Sequence, residues 1–141
     1  MSDKKATKDY AVAKSEQEWR DELSPEEYVV LRQAGTERAW SGALLTEHRD
    51  GMFHCRACGN PLFRSDTKFE SGSGWPSFFE PVSDDAVELI ADNSLFMKRT
   101  EVRCGRCGSH LGHVFDDAPQ TPTGDRYCMN SLALDFSPGE S

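Results

Sequence analysis

The sequence lacks an apolar stretch that could cross a membrane, since no hydrophobic run approaches the roughly 18 residues that a spanning helix needs. No apolar segment follows the lysines at positions 4 and 5, so a secretory signal is not predicted. Basic residues are outnumbered: 16 Lys and Arg stand against 24 Asp and Glu, for a net charge of −8. Nucleic-acid binding normally needs a basic surface. We therefore expect a cytoplasmic protein that binds neither membranes nor nucleic acids.

Cysteine is sparse as well, and the total of five is an odd number that does not suit a disulfide framework. Four of the cysteines form two pairs with the same two-residue spacing, Cys55 with Cys58 and Cys104 with Cys107. This spacing lets both sulfurs of a pair reach one tetrahedral ion, and four thiolates complete its coordination. We predict that the two pairs together bind one structural Zn²⁺ ion. Two redox-active pairs or four buried reduced cysteines are the alternatives, which the matched pairs disfavour.

The length of 141 residues fits one domain, which we place at 15–137, between a flexible segment at 1–14 and a tail at 138–141. Ser15-Glu16-Gln17-Glu18 and Ser24-Pro25-Glu26-Glu27 are capping boxes, in which a serine and a glutamate satisfy each other's backbone amides. Two short N-terminal helices are therefore predicted.

From about residue 43 onward the sequence consists of short alternating segments separated by Gly, Pro, Asn and Asp, as in antiparallel sheets. Strands are predicted at 52–54, 61–63, 86–90, 95–104 and 125–136. The predicted fold class is mainly β, an antiparallel body with helices at its N-terminal end.

The fifth cysteine, Cys128, is the thiol that the metal site leaves over. If 125–136 is one strand, its alternation places Arg126, Cys128 and Asn130 on the same face, above apolar residues that anchor the core. Arg126 would favour the reactive thiolate, and Asn130 could hydrogen-bond a polar ligand. The alternative is an inert, half-buried cysteine.

Two histidines, His110 and His113, could act together with this thiol. Gly112 between them could form a kink that turns both rings into one pocket, where imidazoles stabilise a thiolate or pass on a proton. Asp117 could orient a ring or hold a water molecule. Ordinary packing or additional metal ligation are the alternatives for the histidine pair. His48 and His54 have no such neighbours and stay unassigned.

A glycine-rich hinge at 71–79 ends in aromatic residues that include Trp75. Such a loop can place an indole over a small apolar group such as a methyl. A core tryptophan beside a turn is an equally good interpretation of this segment alone.

Together these motifs resemble the methionine-R-sulfoxide reductases of the B type, over about residues 16–137. Four segments carry the resemblance, in chain order Cys55-Arg56-Ala57-Cys58, Gly74-Trp75-Pro76-Ser77-Phe78, the stretch from Cys104 to Phe115, and Gly124-Asp125-Arg126-Tyr127-Cys128-Met129-Asn130-Ser131. The resemblance implies two antiparallel β-sheets and a single catalytic domain. It also implies oxidised proteins with methionine-R-sulfoxide as substrates, since this enzyme class repairs them.

By the same resemblance, Cys128 is the nucleophile that attacks the sulfoxide sulfur and is left as a sulfenic acid. Trp75 and Phe115 would bind the substrate, and His110 and His113 would polarise the sulfoxide oxygen and help to protonate it. Three further residues match the family's supporting positions, namely Asp117, Arg126 and Asn130.

One residue departs from the pattern that many relatives share. The hinge holds Ser73 where they carry a cysteine that resolves the sulfenic acid as an internal disulfide. We therefore expect an external thiol, thioredoxin or another donor, to reduce Cys128. A monomer with no organic cofactor is expected.

Two other classes of function would use part of these residues. A non-enzymatic zinc-ribbon binding module would use the four paired cysteines and leave Cys128, the histidines and Trp75 without a role. A cysteine hydrolase would need an oxyanion hole and an acyl-binding cleft, of which the sequence gives no sign.

Overall fold

Two short helices open the part of the chain that the computed structural model describes, residues 10–93 and 98–139. Helix α1 spans Glu16–Glu22 and α2 spans Pro25–Arg32. In α1 the Ser15 hydroxyl accepts from the Glu18 amide, and the Glu18 carboxylate accepts from the Ser15 amide. The same reciprocal pair caps α2, with proline at its first position. Both predicted capping boxes are confirmed.

Nine strands follow in the described residues, and every pairing among them is antiparallel. They are β1 Gly51–Cys55, β2 Pro61–Arg64, β3 Lys68–Phe69, β4 Ser77–Phe78, β5 Val87–Asp92, β6 Arg99–Cys104, β7 His110–Phe115, β8 Arg126–Met129 and β9 Leu134–Pro138. One sheet has the order β9-β1-β2 and the other β3-β4-β8-β7-β6-β5. The predicted class, mainly β with two antiparallel sheets, is confirmed. None of the described helices has the length and apolarity to span a membrane.

The predicted single strand at 125–136 is wrong, because two strands in different sheets occupy it. Strand β8 ends at Met129, a 3₁₀ turn covers Ser131–Ala133, and β9 then joins the other sheet. Asn130 forces the break: its side-chain amide donates to the Leu111 carbonyl, and its own carbonyl accepts the Ala133 amide. Strict alternation therefore holds only over β8. The strand predicted at 95–104 starts within residues that are not described, and its described part is β6.

Aromatic residues fill the space between the two sheets. Phe53 and Phe63 of the three-stranded sheet are fully buried, as is Phe78 of the six-stranded sheet. The Phe78 ring lies 4.5 Å from that of Phe63 in a stacked arrangement and 5.0 Å from that of Phe53 edge-on. Such pairs add roughly 0.5–1.5 kcal/mol beyond the burial of their area. This cluster holds β4, and thereby its neighbour β8, in place.

The ends of the chain are described only in part. Within the segment predicted to be flexible, 1–14, the described part begins at Tyr10, and the Val12 amide donates to the Arg106 carbonyl at 2.9 Å. Within the tail, 138–141, the Gly139 amide donates to the Asp50 carbonyl at 2.7 Å.

Candidate active site

The four paired cysteines form one cluster that could hold a metal ion, since their sulfur atoms all lie within 4.8 Å of one another. The sulfurs of Cys55 and Cys107 are 3.8 Å apart, and those of Cys58 and Cys104 are 3.6 Å apart. A tetrahedral ion with metal–sulfur bonds of about 2.3 Å requires sulfur–sulfur distances of about 3.8 Å. The donor set therefore fits a four-coordinate ion that prefers thiolates.

Two matching turns present these sulfurs. Each turn closes through a glycine with positive φ, 82° at Gly59 and 77° at Gly108, a conformation that other residues rarely adopt. The two glycine amides donate to the carbonyls of Cys55 and Cys104, four residues earlier. Helix α2 braces the second turn, because the Arg32 guanidinium donates to the Cys107 carbonyl at 3.1 Å. The cluster thus ties β1, β6 and the helices together.

A separate cavity of about 250 Å³ opens on the six-stranded sheet. Its walls include most of the residues that the sequence assigned to catalysis or substrate binding, namely Trp75, His113, Phe115, Arg126, Cys128 and Asn130. Thr36, Ser73, Arg99 and Gly112 complete the lining. Neither His110 nor Asp117 lines this cavity, and neither does any of the four clustered cysteines.

Cys128 lies at the centre of this sheet, because β8 is hydrogen-bonded between β4 and β7. The register places it opposite Ser77 on one side and opposite His113 on the other. Gly112 permits the close approach of β7, since a Cβ at that position would lie 2.1 Å from the Cys128 carbonyl oxygen. The sheet therefore holds the thiol on a rigid element between a hydroxyl side and an imidazole side.

The environment of the Cys128 thiol has two opposing effects on its pKa. Burial raises its pKa above the ordinary value, because a thiolate is poorly solvated there. A hydrogen bond with Ser73, whose hydroxyl oxygen is 3.8 Å from the sulfur, and the charge of Arg126 lower the pKa. The charge of Arg126 favours the thiolate, yet burial outweighs it and leaves the pKa of the thiol above its ordinary value.

His113 has a carboxylate partner that the sequence did not predict. Its Nε2 lies 2.8 Å from an Oδ of Asp92, and the same Asp92 oxygen accepts from Arg99 at 3.1 Å. Burial lowers the pKa of His113, against the opposing effect of Asp92. The contact with the Asp92 carboxylate places a proton on Nε2, and burial favours the neutral imidazole, in which Nδ1 is an acceptor.

His110 lies behind His113, outside the cavity. It is 4% exposed, its Nδ1 lies 2.8 Å from the Glu101 carboxylate, and its Nε2 is buried without a hydrogen-bond partner. The two imidazole rings meet edge-on at 5.5 Å. The predicted irregularity in this strand is present, but the register between β6 and β7 shifts at Leu111 and not at Gly112.

Arg126 is held by two contacts on the cavity rim. Its guanidinium makes a bidentate pair with the Asp117 carboxylate, at 2.9 and 3.0 Å, and stacks 4.5 Å from the Phe115 ring centroid. The hydrogen bond from Arg126 lowers the pKa of Asp117, which keeps this exposed carboxylate ionised. Asp117 therefore orients Arg126 rather than a histidine.

Glu37 joins the tryptophan side of the cavity to β8. The Trp75 indole N–H donates to the Glu37 carbonyl at 3.0 Å, and the Glu37 amide donates to the Asn130 side-chain oxygen at 2.9 Å. The Glu37 carboxylate accepts from the Leu132 amide at 2.9 Å. Backbone partners thus occupy both ends of the Asn130 amide, so its role in the pocket is to fix geometry.

Sequence reasoning missed four residues of this site: Thr36, Glu37, Asp92 and Arg99. The segment at 36–37 has no periodic pattern, and Asp92 precedes an asparagine in what looks like a turn. Only Arg99 carried a usable signal, as a charged residue inside the strand predicted at 95–104.

Comparison with known proteins agrees with the geometry. Residues 23–138 match the SelR domain. The peptide methionine sulfoxide reductase MsrB of Leifsonia xyli subsp. xyli (strain CTCB07) is 65% identical over 130 residues, which cover 92% of this chain and 94% of that protein. The protein of the same name from Methanosarcina mazei is 59% identical over 129 residues, covering 92% of this chain and 91% of its own. The chain therefore belongs to the SelR domain family, that of the MsrB peptide methionine sulfoxide reductases.

Proposed function

We propose that this protein reduces methionine-R-sulfoxide in oxidised proteins and peptides to methionine, with Cys128 as the nucleophile. The observation that carries the proposal is the convergence of Cys128, Trp75 and His113 on one cavity of about 250 Å³. That space suits a single side chain, with an indole available for the terminal methyl group and an imidazole for the oxygen. Family membership supports the same reaction class. Preference for the R epimer is part of the proposal.

The reaction is balanced by a two-electron exchange between sulfur atoms. The Cys128 thiolate attacks the sulfoxide sulfur, a proton is added to the oxygen, and the oxygen ends on Cys128 as a sulfenic acid while methionine leaves. Cys128 is oxidised and the sulfoxide sulfur is reduced. Arg126 stabilises the thiolate before attack, and its pairing with Asp117 keeps it in position.

His113 is the proposed general acid that protonates the sulfoxide oxygen. With Nε2–H held by Asp92, Nδ1 can accept a proton and then donate it, and burial lowers the pKa of the imidazolium, so that it gives up this proton more readily. His110 acts from behind, keeping the His113 ring in place through their edge-on contact and its own pairing with Glu101. Trp75, Phe115 and Asn130 shape the pocket.

A single Zn²⁺ is proposed as the ion of the four-cysteine cluster. Four thiolates leave no coordination site for water, so its contribution would be to clamp two parts of the fold and not to activate a reactant. Cys55, Cys58, Cys104 and Cys107 would hold it.

The reductant is proposed to be external to the chain, thioredoxin or another thiol donor. The clustered cysteines do not line the cavity, and the Ser73 hydroxyl oxygen lies 3.8 Å from the Cys128 sulfur. A donor thiol would attack the sulfenic acid, release water and form a mixed disulfide, which a second thiol then reduces. A monomer in the cytoplasm, where thiols are kept reduced, is consistent with these requirements.

Ser73→Cys should convert the protein to an internally resolved one. The Ser73 oxygen lies 3.8 Å from the Cys128 sulfur, in a hinge where Gly72 and Gly74 both have positive φ. A modest rotation would bring a sulfur at position 73 to the bonding distance of about 2.0 Å. After one turnover without reductant, mass spectrometry should find a 73–128 disulfide in the variant and a dimedone-reactive Cys128 in the wild type. An internal disulfide to Cys128 in the wild type would contradict the external donor.

The reaction itself is tested with the separated R and S sulfoxide epimers of a dabsylated methionine and a thiol reductant. We expect the metal-replete wild type to consume the R epimer and leave the S epimer. Consumption of neither epimer, together with hydrolysis of a thiol-labile ester, would favour a cysteine hydrolase. Consumption of neither substrate would favour the non-enzymatic binding module.

A further inference from the structure

Three serine hydroxyls form a connected chain that ends at the Cys128 sulfur. Ser73 Oγ lies 3.8 Å from that sulfur, Ser71 Oγ lies 2.8 Å from Ser73 Oγ, and Ser77 Oγ lies 2.8 Å from Ser71 Oγ. The chain ends where Ser77 Oγ donates to the Trp75 carbonyl at 3.1 Å. We propose that in this set of three, the serine relay, Ser73 and Ser71 carry the Cys128 proton to and from solvent, Ser77 positions Ser71, and Ser73 donates a hydrogen bond to the Cys128 thiolate.

Counting protons over these four links gives one arrangement of donors for each ionisation state of the thiol, and only the protonated thiol allows all four links. Each hydroxyl has one proton to donate and can accept from its neighbour. With a protonated thiol, all donors point away from the sulfur: Cys128 to Ser73, Ser73 to Ser71, Ser71 to Ser77, and Ser77 to the Trp75 carbonyl. With a thiolate one proton fewer is present: Ser73 donates to the sulfur, Ser71 to Ser73 and Ser77 to Ser71, and the link to the Trp75 carbonyl is lost because a carbonyl cannot donate. The direction of the chain is therefore coupled to the ionisation of Cys128.

Burial determines where a proton can leave. Ser77 is 1% exposed and ends on a carbonyl, which does not take up a proton under ordinary conditions, so it positions Ser71 and transfers nothing further. Ser71 is only half-buried and can exchange its proton with water. In a deprotonation step the thiol proton moves to Ser73, the Ser73 proton moves to Ser71, and the Ser71 proton moves to water.

The relay approaches Cys128 from the side opposite the charged groups. His113 lies on β7, and Arg126 with its partner Asp117 lies on the cavity rim, as does Arg99. The serine hydroxyls come from β4 and from the hinge that precedes it. A sulfoxide side chain that fills the cavity would separate the thiol from water on the charged side, while the Ser71 exit would remain open. This use during turnover rests on the proposed reaction, whereas the coupling to the thiol does not.

The test is the pH dependence of Cys128 alkylation by iodoacetamide in metal-replete protein, followed by mass spectrometry, with thermal unfolding as a check on folding. A hydrogen bond to a charged group is worth enough to raise the midpoint by about one pH unit when it is lost, which slows alkylation near pH 7 about tenfold. We expect Ser73→Ala to show this shift. Ser71→Ala, which removes no atom in contact with Cys128, should shift the midpoint in the same direction by a smaller amount.

Two variants separate a relay from a structural effect. Ser71→Thr restores the hydroxyl and should return the wild-type profile, and Ser83→Ala, at an exposed serine bonded to Asp85, should not change it. A wild-type profile in Ser71→Ala would overturn the relay, as would a shifted midpoint in Ser71→Thr equal to that of Ser71→Ala. If both alanine variants shift the profile while the wild type consumes no sulfoxide, the relay stands and the proposed function fails.

Discussion

Cys104→Ser is expected to lose the metal ion and most of the cooperative fold. Apparent metal-binding energies at structural thiolate sites are about 10–16 kcal/mol, which is comparable to the whole stability of a domain, about 5–15 kcal/mol. Cys104 is fully buried at the end of β6, so the variant would also leave a hydroxyl among three thiols. Metal content by mass spectrometry and thermal unfolding by circular dichroism measure the two losses together.

The damage should extend beyond the cluster itself. The turn after Cys104 is braced by Arg32 of α2 and is continued by β7, whose His113 lies opposite Cys128. Without the ion, the Cys55 turn and the Cys104 turn keep only weaker links, such as the one from Asn60 to the Cys104 sulfur at 3.7 Å. Loss of the metal should therefore loosen the β6–β7 part of the sheet, which carries the histidines.

Arg106→Ser provides the matched control, since Arg106 is exposed in the same turn and ligates nothing. It should keep one metal ion per chain and unfold at the wild-type temperature. A Cys104→Ser protein that unfolds at the wild-type temperature would show that the cluster is not a structural metal site.

Cys128→Ser is expected to lower the rate of sulfoxide reduction on the order of 10³-fold or more. A serine hydroxyl is a far weaker nucleophile towards sulfur, and removal of the group that forms the covalent bond leaves only binding and electrostatic effects. Trp75 and Arg126 would still shape the cavity. The measurement is consumption of the R epimer in single-turnover experiments, beside the wild type.

The same variant should keep its fold and its metal. Cys128 is half-buried and lies outside the four-cysteine cluster, and serine is nearly isosteric with it. The thermal midpoint should therefore stay close to that of the wild type. Loss of the metal in Cys128→Ser would mean that the division between a structural cluster and a reactive thiol is wrong.

Local sequence signals predicted local structure well. The Ser15 and Ser24 capping boxes place both helices, because each box is completed within four consecutive residues. The strands predicted at 52–54, 61–63 and 86–90 lie within two residues of β1, β2 and β5, whereas no strand was predicted at β3, β4 or β7. The strand predicted at 125–136 was wrong at Asn130. The alternation of apolar residues continues past this position in the sequence, but a long-range hydrogen bond from Asn130 to Leu111 ends the strand. Alternation cannot reveal such a bond.

For the site, motifs predicted which residue types converge but not how they are paired. Trp75, His113, Arg126 and Cys128 were all expected in one pocket, and all of them line it. Asp92 was missed, because its contact with His113 spans two strands and leaves no local pattern. His110 was expected to face the substrate, and its pairing with Glu101 keeps it outside the cavity.

The sequence by itself determined the reactive residue types and their spacing: four thiols in two matched pairs and a fifth thiol without a partner. It also determined two helix caps and a chain of short β-strands. These depend on residues close together in the chain, or on motifs long enough to identify a family. Only the tertiary structure decided the partners of each reactive group, including Asp92 for His113, Glu37 for Trp75 and the serine relay for Cys128. Such contacts depend on register and burial, since a polar group in the interior must bond whichever partner the fold brings to it.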